Sequence, residues 1–214
     1  MKIISRKKAK AIAKGAKRNA PAVIVMASCG LISAAVAPNC TYPAIGGLEV
    51  DIYLANKEEI ASYTLNGSNA LIVEAITMVA SKKFYKYSGI KYSNDAKGEL
   101  AKSKYSPQYD HEVDAVVFTS DGATKTQLEA MAGGLLVAIV EYKRKGAAGN
   151  SAYEILGREQ GLVCQKLSRQ ANAEDGTYQI MLKTDDGPNK EGHLPAALFI
   201  TSYAATAAVV AGLI

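Results

Sequence analysis

Acidic residues are missing from the first 48 positions of this 214-residue chain; the first is Glu49. The same stretch holds Lys2, Arg6, Lys7, Lys8, Lys10, Lys14, Lys17 and Arg18, so eight cations stand without a counter-charge. Tryptophan is absent and phenylalanine occurs three times, against 12 tyrosines. Aromatic rings with a polar edge suit interfaces that stay partly wet. The only histidines, His111 and His193, are far apart in sequence, so a two-histidine metal site would need long-range pairing. Cys29, Cys40 and Cys164 form an odd set without metal-ligand spacing. A Cys29–Cys40 disulfide and three reduced thiols both fit that count.

The charge is therefore split. Of 25 lysines and arginines, those eight leave 17 against 20 acidic residues in the remainder, so a formal +5 divides into an arm of +8 and a body near −3. The expected organisation is a basic and apolar arm over residues 1–38 and one β-rich domain over 39–214. A body of roughly 170 residues buries a sufficient core without disulfides or metal. Residues 1–18 read as helical and 22–27 as extended. The basic stretch followed by an apolar one, ending Ala35-Val36-Ala37, imitates an export signal. Pro38 after that point disfavours cleavage, and a retained arm docking on a neighbour is expected.

Beyond Thr41 the apolar period is mostly two. Val50, Ile52 and Leu54 share one face of Glu49–Leu54, and Ile180 and Leu182 one face of Tyr178–Thr184. Leu71–Val79 and Leu135–Val140 are apolar on both faces, as in central strands covered twice. Glu112–Phe118 and Tyr153–Leu156 are shorter candidates. Asn66-Gly67, Asp121-Gly122, Asp175-Gly176 and Asp185-Asp186-Gly187-Pro188 punctuate them as turns. The sum is a mainly β protein, an antiparallel sandwich or barrel. Thr124-Lys125-Thr126-Gln127 fits a capping box that opens a short helix, with Leu128, Met131 and Ala132 as its apolar stripe. Gly133-Gly134 would end it in a left-handed conformation. A second short helix is expected at Lys57–Ser62. Residues 194–214 carry no charge, but alanine and hydroxyl residues dilute them. They read as an extended segment to Ile200 and a C-terminal helix capped by Thr201 or Ser202.

Catalytic patterns do not emerge. In a strand, Asp110 and Glu112 point away from His111, so the three cannot form a proton relay. Gly146 to Asn150 lacks the Lys-Ser/Thr of a phosphate loop. Cys164 sits in an apolar run as a small core residue. No enzyme activity, cofactor or metal is expected. Between Phe84 and Tyr109, lysines and tyrosines interleave: Tyr85, Tyr87, Lys91, Tyr92, Lys97, Lys102, Lys104, Tyr105 and Tyr109. This composition suits a long polar hairpin that contacts another subunit. Binding of single-stranded nucleic acid is the competing reading.

The run Asn39-Cys40-Thr41-Tyr42-Pro43-Ala44-Ile45-Gly46-Gly47-Leu48-Glu49, followed by Ile52 to Lys57, resembles the opening of tail tube-like proteins in phages and prophages of Bacteroidetes. Tyr109-Asp110-His111-Glu112-Val113, Gln127 to Gly134 and His193 to Phe199 continue the likeness in order. The resemblance implies a tail-tube β-sandwich or barrel with one flanking helix. It implies homo-oligomeric, commonly hexameric rings stacked into a tube, other tail proteins as partners, and DNA passing through the lumen. The place of such a protein is the virion, after assembly in the bacterial cytoplasm. Phe84 to Tyr109 would reach the next ring. Two other classes stay open: an exported lipoprotein or surface binding module, and a nucleic-acid-binding protein acting through Lys7, Lys8, Lys10, Lys14, Lys17 and Arg18.

Overall fold

The computed structural model describes residues 34–36, 46–101, 107–172, 176–188 and 190–214. Residues 1–33, with the basic run and Cys29, and Cys40, Lys102, Lys104 and Tyr105 lie outside them. The chain divides into two units, Met1–Pro38 and Asn39–Ile214. The second unit holds eleven strands: β1 (Leu48–Asn56), β2 (Ile60–Asn66), β3 (Asn69–Met78), β4 (Tyr85–Ser88), β5 (Asp95–Ala101), β6 (Gln108–Val117), β7 (Leu136–Tyr142), β8 (Tyr153–Leu156), β9 (Val163–Arg169), β10 (Tyr178–Lys183) and β11 (Ala196–Leu198). Two helices, α1 (Gly122–Ala132) and α2 (Tyr203–Gly212), complete it. Strands make up 47% of the described residues and helices 17%, so the protein is mainly β.

The strands form a seven-stranded sheet ordered β2-β3-β11-β8-β7-β1-β4 and a four-stranded sheet ordered β5-β6-β10-β9. All pairings are antiparallel except β11 with β3, which is parallel. Two apolar clusters explain the burial. In the first, Ile52, Leu54, Ala138, Val140 and Leu156 of the large sheet meet Val113, Ala115, Ile180 and Leu182 of the small one, with Leu128 and Met131 of α1. In the second, the opposite face of the large sheet gathers Phe84, Val137, Ile139, Ile155, Leu198 and Val210 of α2. Strand β7 therefore needs apolar residues at consecutive positions, because its two faces serve two cores. Strands β6 and β10 face a core on one side only and alternate.

Several local readings change. Val50 is 39% exposed and does not share the buried face of Ile52 and Leu54; the register of β1 against β7 shifts between Leu48 and Ile52, turning Val50 outward. Strand β3 lies one place from the sheet edge, and it buries Val73 and Ile76 but leaves much of its length half-exposed. Lys57–Glu59 is a single 3₁₀ turn, after which Ile60 enters β2. The cap of α1 is Asp121, not Thr124: Asp121 Oδ1 accepts from the Thr124 N–H at 2.9 Å and Oδ2 from its hydroxyl at 2.9 Å. A charged acceptor three residues upstream outcompetes the Thr–Gln box. Those same bonds from Thr124 hold the Asp121 carboxyl below its ordinary pKa. Ala132 is exposed, and Gly133 ends α1 at φ −100°, without a left-handed residue. At the C-terminus, Ser202 caps α2 by accepting from the Ala205 N–H at 3.2 Å.

Phe84 to Tyr109 is not one hairpin. Phe84 is fully buried in the second core. Strand β4 pairs with β1 in the large sheet, whereas β5 pairs with β6 in the small one. The segment is the crossing between sheets, and its polarity reflects edge positions. Among the described residues, no helix is long and apolar enough to cross a membrane.

Candidate functional site

Three places concentrate polar or aromatic side chains, and the first is internal. The β8–β9 turn runs from Gly157 to Gly161, and both glycines have positive φ, +74° and +89°. A Cβ on Gly157 would stand 2.7 Å from Leu162 Cγ, and one on Gly161 2.5 Å from Leu135 Cγ. The turn thus aims its amides inward, where the buried Glu191 carboxylate accepts from Glu159 N (2.9 Å), Gln160 N (2.8 Å) and Gly161 N (3.2 Å). In return, Glu159 Oε2 accepts from Gly192 N at 2.9 Å and Oε1 from the Arg158 guanidinium at 2.8 Å. Burial opposes the charge of Glu159, but these donors hold its pKa below the ordinary value.

His111, 2% exposed, completes this knot. Its Nδ1 accepts from Gly157 N–H at 3.1 Å and its Nε2 donates to the His193 carbonyl at 2.9 Å. Both bonds together require the neutral Nε2–H tautomer. Burial pushes the imidazole pKa down, against the pull of Glu191 and the His193 carbonyl. Every polar atom of the ring is consumed by the fold, so the knot positions loops and has no free base to offer a substrate. Among the described residues no group of three or more His, Cys, Asp or Glu gathers in the manner of a metal site. Cys164 is half-buried beside the first core, and burial raises its thiol pKa.

The second place is a groove of about 620 Å³ between β4 and α1, lined by Tyr85, Tyr87, Val117, Phe118, Ala123 and Gln127 among others. Tyr85 and Tyr87 stand opposite Leu54 and Ile52, on the side of the large sheet that faces the first core. A smaller recess of about 90 Å³, bounded by Tyr85, Tyr87, Gln127 and Met131, continues the groove inward. Strand β4 is the edge of its sheet. The turn after it projects Ile90 and Tyr92, 55% and 76% exposed. Ser93 Oγ clamps this turn, accepting from Ile90 N–H at 2.9 Å and donating to Ile90 O at 2.8 Å. Tyr92 adopts φ +67°, and its ring lies 4.1 Å from Lys143 Nζ and 5.0 Å from Lys91 Nζ. A turn held by such local bonds has less conformational freedom to lose on binding.

The third place is the outer face of the small sheet. Period two puts Asp95, Lys97 and Glu99 of β5 beside Asp110, Glu112 and Asp114 of β6. Asp95 faces Asp114 and Glu99 faces Asp110 across the ladder, an arrangement of like charges that destabilises a pair of strands. Lys97 binds both Glu112 and Asp114, the latter at 3.0 Å, and Lys190 Nζ reaches Asp110 at 2.8 Å. These carboxylates raise the Lys97 pKa. Five carboxylates on β5 and β6 thus meet two lysines, Lys97 of β5 and Lys190 from the segment after β10. On the other flank of β6, Lys183 of β10 stands directly opposite Glu112, and Lys166 of β9 lies one strand beyond.

The expected contact residues therefore separate. Tyr85 and Tyr87 line the groove, Lys91 and Tyr92 form the knob beside it, and Lys97 neutralises the acidic face of the other sheet. Tyr109 is half-buried, its backbone paired with Glu191 at 2.9 and 3.1 Å. The sequence reading missed Glu191, Phe118 and the charge facing of β5 and β6. Alternating Asp-x-Glu-x-Asp in β6 was the one visible signal for the last. Compared with known proteins, the chain matches no family model, no curated protein and no solved structure.

Proposed function

We propose that the chain is a structural subunit that assembles with copies of itself into stacked rings, as its resemblance to phage tail tube-like proteins implies, with DNA passing through the lumen. The observation that carries the reading is the acidic β5–β6 face. On β5 and β6 five carboxylates meet Lys97 and Lys190, which leaves this part of the sheet negative, with Lys183 and Lys166 offsetting the excess on β10 and β9. Duplex DNA carries one negative charge per about 1.7 Å of axis, and a conduit has to repel it to avoid retaining it. The subunit is read as a non-enzymatic virion component, with other tail proteins as its further partners.

Negative-stain imaging of the purified full-length chain tests this. Rings or tubes are expected at high concentration. A strict monomer by light scattering, with featureless grids, removes the proposal.

The Tyr92 knob, with Lys91 and Lys143 over one ring, favours a second reading as a single-strand contact. Lys91→Gln with Lys143→Gln would then lower DNA affinity and flatten its salt dependence while assembly persists. Unchanged affinity discards it.

A further inference from the structure

We infer that the turn after β4 forms a binding site for free phosphate or a phosphate monoester, with Lys143 and Lys91 as its two ammonium donors and the Tyr92 ring as its cover. The inference shares residues with the single-strand reading but rests neither on it nor on self-assembly.

The argument begins with a cation that lacks an acceptor. Lys82, Lys86, Lys97, Lys145 and Lys190 each hold a carboxylate within 3.2 Å. Lys143 Nζ is shut off from solvent and has no hydrogen-bond partner among the described residues. Its side chain lies against Gly47, where a Cβ would stand 3.6 Å from both Cδ and Nζ. An ammonium carries three donors, and a buried charge without acceptors is costly. The face of the Tyr92 ring, 4.1 Å from Nζ, offsets part of that cost but leaves donors unmatched. Lys91 brings a second ammonium to 5.0 Å from the same ring. Neither lysine has an ion-pair partner among the described residues. Like charges gathered at one ring repel each other, so the missing component is an anion.

The cover suits such an exchange. Tyr92 adopts φ +67°, a conformation uncommon for a bulky residue and kept only where the surroundings impose it. Ser93 constrains the backbone of the turn through its two bonds to Ile90, whereas the Tyr92 side chain stands in a residue that is 76% exposed. Exposed side chains change rotamer in picoseconds to nanoseconds, so the ring can leave Nζ while the turn stays folded. Charge then selects the ligand. A phosphate monoester carries about −1.5 to −2 charges at neutral pH and several strong acceptor oxygens, which matches two ammoniums. A carboxylate or a backbone phosphodiester brings a single charge and leaves one lysine uncompensated. Lysine binds phosphate as a point charge, without the planar fork that arginine needs.

The test titrates the full-length chain, isotopically labelled at its lysine side chains, with inorganic phosphate while sodium chloride keeps the ionic strength constant. Magnetic resonance is expected to show saturable displacement of the Lys143 and Lys91 ammonium signals together with the Tyr92 ring signals. Lys143→Gln should weaken phosphate binding at least ten-fold and, without phosphate, leave the thermal melt unlowered. Lys91→Gln, on the exposed turn, should weaken it several-fold and serves if the first variant does not fold. Phenyl phosphate should compete with inorganic phosphate, and dimethyl phosphate should not. Displacement matched by chloride alone, displacement spread equally to Lys83 and Lys125, or binding unchanged in Lys91→Gln overturns the inference. Tighter binding of an oligothymidine strand without terminal phosphates than of inorganic phosphate also overturns it, since the site would then be built for a diester. Loss of DNA affinity in the double variant without any phosphate binding refutes the phosphate site and leaves the single-strand reading standing. Rings that form without phosphate binding refute it equally and leave the tube reading standing.

Discussion

Strands β7 and β6 are both interior to their sheets, yet they obey different rules. In β7 the residues Leu136 to Val140 are all buried, odd and even positions alike. In β6 buried His111, Val113, Ala115 and Val117 alternate with half-exposed Asp110, Glu112, Asp114 and Val116. The difference is the number of layers. The large sheet lies between the small sheet and α2, so it has no free central face. The small sheet has a covered face and an outer one, and on the outer one β5 and β6 concentrate charge. Stability resides in the twice-covered strands, and the once-covered sheet is free to carry a function.

The comparison breaks if packing is equally important in both. Ile139→Ala, in β7 and fully buried, should cost about 2–5 kcal/mol. Val116→Ala, on the outer face of β6, should cost less than about 1 kcal/mol. Urea unfolding measures both, and equal losses would contradict the layered account. A polar version of the contrast follows. Glu191→Gln loses a charged acceptor for three amides and turns an NH₂ toward donors, costing about 2–3 kcal/mol. Glu112→Gln removes one partner of the half-exposed Lys97, which keeps Asp114, and should cost less than about 1 kcal/mol.

A pH profile sharpens the picture. His111 is held neutral by burial and faces Glu191, Glu159, Arg158 and His193. Its folded pKa lies below the unfolded value of about 6.5. The unfolded chain therefore binds the extra proton first, and stability falls as pH drops below about 6.5. Glu154 acts with the opposite sign, because burial raises its carboxyl pKa and protonation relieves it. His111→Gln should be less stable at neutral pH and should flatten the loss between about pH 6.5 and 5. A wild-type profile that is flat or rising toward pH 5, and unchanged in His111→Gln, contradicts the His111 assignment. The smallest effect belongs to the open face. Asp95→Asn removes a like-charge facing and should stabilise the monomer by about 0.2–1 kcal/mol. The gain should fade in high salt. A loss of stability instead would mean that the acidic ladder is not under repulsion.

The layered contrast also shows where patterning was sufficient. Tyr153–Leu156 and Tyr178–Lys183 lie where expected, because strand pattern and flanking turns agree locally. The cap of α2 was legible to within two neighbours, Thr201 and Ser202, and the backbone geometry selected Ser202. Asp121 displaced Thr124 through a stronger acceptor whose presence in print did not decide its geometry. Phe84 to Tyr109 reads as one polar stretch, yet pairing assigns its parts to different sheets, and nothing local encodes that choice.

By itself, then, the chain determined a mainly β body, the split of charge at Glu49, the separation of His111 from Asp110 and Glu112 across a strand, and the apolar continuity of β7. These follow from periodicity and composition, which act over a few residues. Only the tertiary structure decided that Glu191 would fill the amide cradle of residues 159–161, that Tyr85, Tyr87 and Phe118 would share a groove, and that Asp95 would face Asp114. Each of these depends on register between segments distant in sequence. Register is settled by burying both sides of the large sheet at once, a condition no single strand contains.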